Sequence, residues 1–274
     1  MAANTTRAKI CGLTNLKDAE LAVELGAWAL GMIFYEQSPR RCSPAEAERI
    51  TAALRRKVEL CGVFVNAPLE RVVGLCEQLG LSLLQFNGDE GPSFCAEAAR
   101  RTGAHVIKAA QVSGPGDVRD LERFHVDYHL LDARAKDPAK RELRGGTGET
   151  FDWALVRSRH SRIPLILSGG LDAENVGAAI AEVGPYAVDS ASGTESAPGH
   201  KDPQKLRAFF AAVESASRED VDTDADADRA ADGPPAEHAD ADSAPVAIAE
   251  SIVAGDSIAA DADADANPVA GGRA

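Results

Sequence analysis

Short apolar runs and longer amphipathic stretches take turns along the first 215 or so residues. The apolar runs cover 8–11, 29–34, 59–65, 82–86, 105–109, 128–131, 164–167 and 186–188. They read as continuous apolar stretches rather than apolar–polar alternation, which predicts strands buried on both faces. Between and after them, apolar residues recur at helical spacing over 16–25, 44–54, 69–79, 92–102, 118–124, 151–157, 173–183 and 203–215. Several of these stretches carry helix-start signals. Asn15 and Asp172 can cap the helices that follow them. Ser43-Pro44-Ala45-Glu46 reads as a capping box with Pro at the first helical position.

Strand–helix alternation of this kind gives parallel βαβ units with right-handed crossovers. Eight units in about 200 residues predict an α/β protein with a single, small (β/α)8 TIM barrel. The alternative is an open doubly wound sheet. Against it, no GxGxxG follows the first strand.

Beyond about Ser217 the pattern stops. Asp and Ala repeat over 222–228 and 261–265, and no aromatic residue follows Phe210. Such a segment repels itself and buries too little surface to offset chain entropy. The expected division is therefore 1–216 as the catalytic barrel and 217–274 as a disordered, acidic Asp/Ala-rich tail. Its apolar stretch 244–258 is suited to transient folding or contact with a partner, although a purely solubilising tail is the simpler reading.

The net charge of −14 belongs to that tail. Fifteen Asp or Glu and two Arg fall within 219–274, leaving residues 1–218 at about −1. The folded part has no basic face that would suit nucleic acid. No apolar run approaches the ~18–20 residues of a membrane span, so no membrane is expected. The five cysteines (Cys11, Cys42, Cys61, Cys76 and Cys95) form no CxxC pair and have no His at metal-ligand spacing, so no metal is expected either. With no secretory apolar segment near Met1, the expected setting is a reducing cytoplasm with mostly buried thiols. The sequence leaves the oligomeric state open, leaning to a monomer.

In a barrel, chemistry collects where the strands end. The first strand ends on Cys11, followed by Gly12, and the sixth on Asp132. A thiol and a carboxyl on one rim are what proton shuttling on a small substrate requires. Lys9, two residues before Cys11, is expected on the same side of its strand, where its ammonium could favour a thiolate. Asp132 must have a raised pKa to hold a proton near neutrality, and partial burial would provide that. The last two strands are followed by Ser168-Gly169-Gly170 and by Ser190-Ala191-Ser192-Gly193. Gly169, Gly170, Ser192 and Gly193 offer unobstructed backbone N–H groups near helix starts, a phosphate site that needs no Lys.

Several ordered stretches make the chain resemble the phosphoribosylanthranilate isomerases of tryptophan biosynthesis. They include Lys9-Ile10-Cys11-Gly12-Leu13-Thr14-Asn15, Ser38-Pro39-Arg40, Gly62-Val63-Phe64-Val65-Asn66 and Leu84-Gln85-Phe86-Asn87-Gly88-Asp89-Glu90. They continue with Leu130-Leu131-Asp132, Gly145-Gly146-Thr147-Gly148, Leu167-Ser168-Gly169-Gly170-Leu171-Asp172, Ser192-Gly193-Thr194-Glu195 and Pro198-Gly199-His200-Lys201-Asp202. The resemblance spans 7–215. It implies an Amadori rearrangement of N-(5-phosphoribosyl)anthranilate to 1-(o-carboxyphenylamino)-1-deoxyribulose 5-phosphate, with no cofactor. It implies Asp132 as general acid and Cys11 as general base. It favours Arg40 over Arg41 for the anthranilate carboxylate, and places Asp189 at the ribose or amine or in a loop-shaping role. The chain departs from the pattern at Asn87, where the family usually has His, and at Ser190-Ala191, where it usually has Val-Ser. A histidine-pathway isomerase performing the same rearrangement would carry an aspartate where Cys11 stands. A barrel that no longer catalyses, kept as a ligand sensor or scaffold, is disfavoured by the intact Cys11 and Asp132.

Overall fold

In the computed structural model, residues 5–133 and 150–231 are described. Eight parallel strands close on themselves: β1 (Arg7–Cys11), β2 (Ala29–Ile33), β3 (Glu59–Phe64), β4 (Leu83–Phe86), β5 (His105–Val112), β6 (Tyr128–Ala133), β7 (Leu165–Leu167) and β8 (Ala187–Ser190). The seam is made by β1 pairing with β8, Lys9 standing beside Asp189. Closure removes the open-sheet alternative, and all eight expected strands are present. Around them lie α1 (Leu16–Glu24), α2 (Pro44–Leu54), α3 (Leu69–Leu79), α4 (Pro92–Thr102), α5 (Pro115–Leu121), α6 (Val176–Val183) and α7 (Pro203–Ala231).

Two apolar cores result, because successive side chains on a strand point to opposite faces. Ile10, Leu30, Phe64, Leu84 and Leu131 pack outward against the helices. Ala29, Cys61, Val63, Leu83, Ile107, Leu130 and Ile166 fill the barrel interior. At the N-terminal end Trp28 meets Tyr128 and Tyr186 edge-on, each with centroids 5.5 Å apart, and seals the interior from below.

Local chemistry sets most helix boundaries. Asn15 Oδ1 accepts from the Asp18 N–H at 2.9 Å and Ser43 Oγ from the Glu46 N–H at 3.2 Å. The Glu46 carboxylate turns away to Arg49, so only half of the expected capping box forms. Three helices depart from the spacing in where they start or in type. The 118–124 stretch is shifted to Pro115–Leu121, because Asp117 Oδ2 accepts from Ser113 and Gly114 N–H and fixes the turn there. The 151–157 stretch is a 3₁₀ segment, Trp153–Ser158. Asp172 caps a turn ahead of α6, accepting from Glu174 and Asn175 N–H, so the helix starts at Val176.

The last helix runs to Ala231, past the expected end at 215. Alanine is the strongest helix former, and Ala225, Ala227, Ala230 and Ala231 fall in the last two turns. The rest of the expected tail, 232–274, lies outside the described residues, as does the Gly145–Gly148 motif. A short antiparallel ribbon, β9 (Glu195–Ala197) with β10 (His200–Lys201), stands between β8 and α7 and was not expected. Among the described residues no helix is long and apolar enough to cross a membrane.

Candidate active site

At the seam of the barrel, β1 turns Lys9 and Cys11 inward. Lys9 is fully buried, and its Nζ donates to Asp189 Oδ1 at 2.8 Å. Burial works against the ammonium, but Asp189 and the nearby Cys11 and Cys61 outweigh it, so Lys9 stays protonated. The second Asp189 oxygen accepts from Ser168 Oγ at 3.4 Å. Asp189 thus sits in the barrel wall, held by β1 on one side and the loop after β7 on the other.

Cys11 is buried, and its sulfur lies against Gly31 of β2, where an added methyl would come within 2.7 Å of Sγ. Gly31 therefore leaves the space the thiol occupies. The expected activation by Lys9 is present but is not dominant. Burial pushes the Cys11 thiol above its ordinary value, Lys9 pulls it back, and burial wins. On β6, burial first and the negative Asp189 second raise the Asp132 carboxyl to about 7, against opposing pulls from the Ala133 N–H and Lys9. That direction agrees with what the sequence required of a proton donor.

Cys11, Asp132, Asp189 and Arg40 line one cavity at the C-terminal mouth, about 750 Å³ counting its open entrance. Gly169, Gly170 and Ser192 form one wall of it. Gly169 and Gly170 have φ of +95° and +60°, a backbone course that favours glycine. Gly193 does not line this cavity. It packs against Leu171 and faces an adjoining hollow with Gly170, Ser192 and Lys205. Arg40 is buried at the mouth while Arg41 is exposed, so the structure separates the two candidates.

The departures also have places. Asn87 lines the cavity and accepts from Gln85 Nε2 at 2.8 Å. Ser190 Oγ is buried and donates to Leu171 O at 2.7 Å, tying the loop after β7 to β8, and Ala191 lines the cavity. Cys42, next to the exposed Arg41, is buried, and its N–H donates to Ile33 O at 2.9 Å at the end of β2. All five thiols are free and buried. Among the described residues, no group of three or more His, Cys, Asp or Glu is placed to hold a metal ion.

Residues 8–212 match the model of a family described as N-(5'phosphoribosyl)anthranilate (PRA) isomerase. The chain belongs to the PRA isomerase family. It is 44% identical over 212 residues to the N-(5'-phosphoribosyl)anthranilate isomerase of Geobacter sp. (strain M21), covering 77% of this chain and all of the relative. The phosphoribosyl anthranilate isomerase structure from Thermus thermophilus superposes with a TM-score of 0.68 at 40% identity, over 77% of this chain and 99% of that one. A PRA isomerase solved in complex with reduced 1-(o-carboxyphenylamino)-1-deoxyribulose 5-phosphate gives 0.65 at 37% identity, with the same coverage. As a member of the PRA isomerase family the protein is an isomerase of tryptophan biosynthesis.

Two buried charged residues beside the cavity had no role assigned from sequence. Glu195 and Lys201 stand on the β9–β10 ribbon, are both buried, and adjoin Arg40. Their only sequence signal was membership of the conspicuous Ser192–Glu195 and Pro198–Asp202 stretches. Their partner in the loop after β2 is 155 positions away from Glu195.

Proposed function

We propose that the isomerisation proceeds by transfer of two protons, with Asp132 as acid and Cys11 as base. The observation that carries this reading is that the two groups, from β6 and β1, enter one cavity whose wall is built from the loops after β7 and β8. Asp132 donates to the furanose ring oxygen, and the ring opens to an iminium. Cys11 takes the C2′ proton, and the enolamine tautomerises to the ketone. Gly169, Gly170 and Ser192 hold the phosphate through backbone N–H groups, with Gly193 shaping the same loop. The Arg40 guanidinium receives the anthranilate carboxylate through two parallel bonds. Asp189 keeps Lys9 beneath the thiol and meets the ribose or amine. A monomer is the proposed state, and the free thiols suit a cytoplasmic setting.

The two pKa directions give this mechanism an unusual pH signature. The competent pair is a thiolate with a protonated carboxyl, yet the carboxyl titrates near 7 and the thiol higher. The competent form is thus a minor arrangement of the state that holds one proton between the two groups. Below about 7 both groups are protonated and the base is lost. We therefore expect kcat/KM to rise as pH passes upward through about 7 and then to level off until the thiol itself ionises. A profile that falls through 7 would show Asp132 acting as a simple acid beside an already ionised base. A profile flat from 6 to 8 would remove Asp132 from the chemistry. Complementation of a tryptophan auxotroph blocked at this step tests the activity itself.

A further inference from the structure

The β9–β10 ribbon leans on the mouth without being an extension of any barrel strand, and it carries two buried charges. The Arg40 Nε donates to Glu195 Oε1 at 2.9 Å and Oε2 at 3.0 Å, and Nη2 donates to Oε2 at 2.8 Å. The same carboxylate accepts from the Gly199 N–H at 3.3 Å and lies 3.5 Å from Lys201 Nζ. Lys201 Nζ also donates to Ala191 O at 2.8 Å and Thr194 Oγ1 at 3.2 Å, on either side of Ser192 and Gly193. Lys201 N–H reaches Asp18, and Lys205 Nζ donates to Glu195 O. One carboxylate thus links the guanidinium to the loop that walls the phosphate side of the cavity.

A guanidinium offers two forks, and Glu195 occupies the Nε–Nη2 fork. The edge left over, Nη1 with the second Nη2 proton, is available to a ligand in the cavity that Arg40 lines. Free Arg side chains hold many rotamers, and fixing one beforehand removes that cost from binding. Glu195 also weakens the pull of Arg40 on a second carboxylate, so its contribution is direction rather than charge.

We propose that Glu195 is a positioning residue that makes the site selective for a substrate carrying a carboxylate on its aromatic ring, by holding the outer fork of Arg40 toward the cavity. This rests on the reading of Arg40 as the carboxylate ligand. The test uses two competitive inhibitors, reduced 1-(o-carboxyphenylamino)-1-deoxyribulose 5-phosphate and its phenylamino counterpart lacking the carboxylate. Glu195→Gln is expected to weaken the first by about tenfold and the second by less than about twofold, with substrate KM rising and kcat nearly unchanged. Arg40→Ala is expected to show the same selectivity, and the double variant no further loss. If Arg40→Ala leaves both inhibitors unaffected, the assignment of Arg40 fails. If Arg40→Ala is selective and Glu195→Gln is not, or weakens both inhibitors equally, the positioning role fails while Arg40 stands. Should Glu195→Gln not fold, Glu195→Asp keeps the charge, shortens the reach and carries the same expectation.

Discussion

The two ends of the barrel are built from opposite materials. At the N-terminal end Trp28, Tyr128 and Tyr186 form an aromatic plug, and the Arg7 guanidinium sits 4.3 Å over the Tyr186 ring. At the C-terminal end a thiol, three carboxyls, a guanidinium and two ammoniums are buried together. The plug gains from burial and edge-to-face contact and leaves no group in an unfavourable state. The mouth keeps a carboxyl whose ionisation is opposed by its surroundings and a thiol likewise. The molecule thus puts stabilising interactions at one end and chemically useful but costly ones at the other.

The sharpest way to break that contrast is at the mouth. Cys11→Ser and Asp132→Asn should each lower kcat by roughly 10²–10⁴-fold, the worth of a positioned proton-transfer group, without loss of fold. Asp132→Asn should gain stability. A carboxyl raised from 3.8 to about 7 keeps its proton longer in the folded state, so stability falls as pH rises through that window. At pH 8 and above the native carboxylate costs up to roughly 4 kcal/mol that the amide does not. Chemical denaturation of both proteins at pH 5 and pH 8 measures it, and equal pH slopes would contradict the raised pKa.

A second test moves the sulfur without removing it. Gly31→Ala places a methyl against Cys11 Sγ, and a displacement of about 1 Å should lower kcat by about 10²-fold. Unchanged kcat would show that the sulfur's position is not critical. At the other end, Trp28→Ala should lose about 2–3 kcal/mol, less than a full core truncation because the ring is half-buried, with kcat within about twofold. A loss of kcat with stability intact would mean that the ends are not independent. The smallest expected effect is from deleting 232–274, which should leave kcat and KM unchanged in steady-state assays.

The barrel was legible because each strand is a short, uninterrupted apolar run, and β2 to β4 lie within a residue of where those runs begin and end. Cys11, Asp132, Gly169 and Gly170 were legible because a polar residue or glycine pair ends an apolar strand on a rim the fold reserves for function. The β9–β10 ribbon was not, since strands of three and two residues are too short to show any period. Nor was the pairing of Glu195 with Arg40, because nothing local to either residue points to the other. The net balance at Cys11 was not legible for a similar reason. The adjacent Lys9 is visible in sequence, whereas full burial of the thiol depends on neighbouring strands closing over it.

The Lys9–Asp189 pair joins residues 180 positions apart, on the strands that open and close the barrel. During synthesis the ammonium is made with the first barrel strand and its counter-charge only with the eighth. A nascent chain halted before β8 would have to leave Lys9 in water, since entombing it alone would be prohibitively expensive. The interior around the thiol can therefore dry out only once the final strand docks, which ties the birth of the reactive centre to completion of the fold.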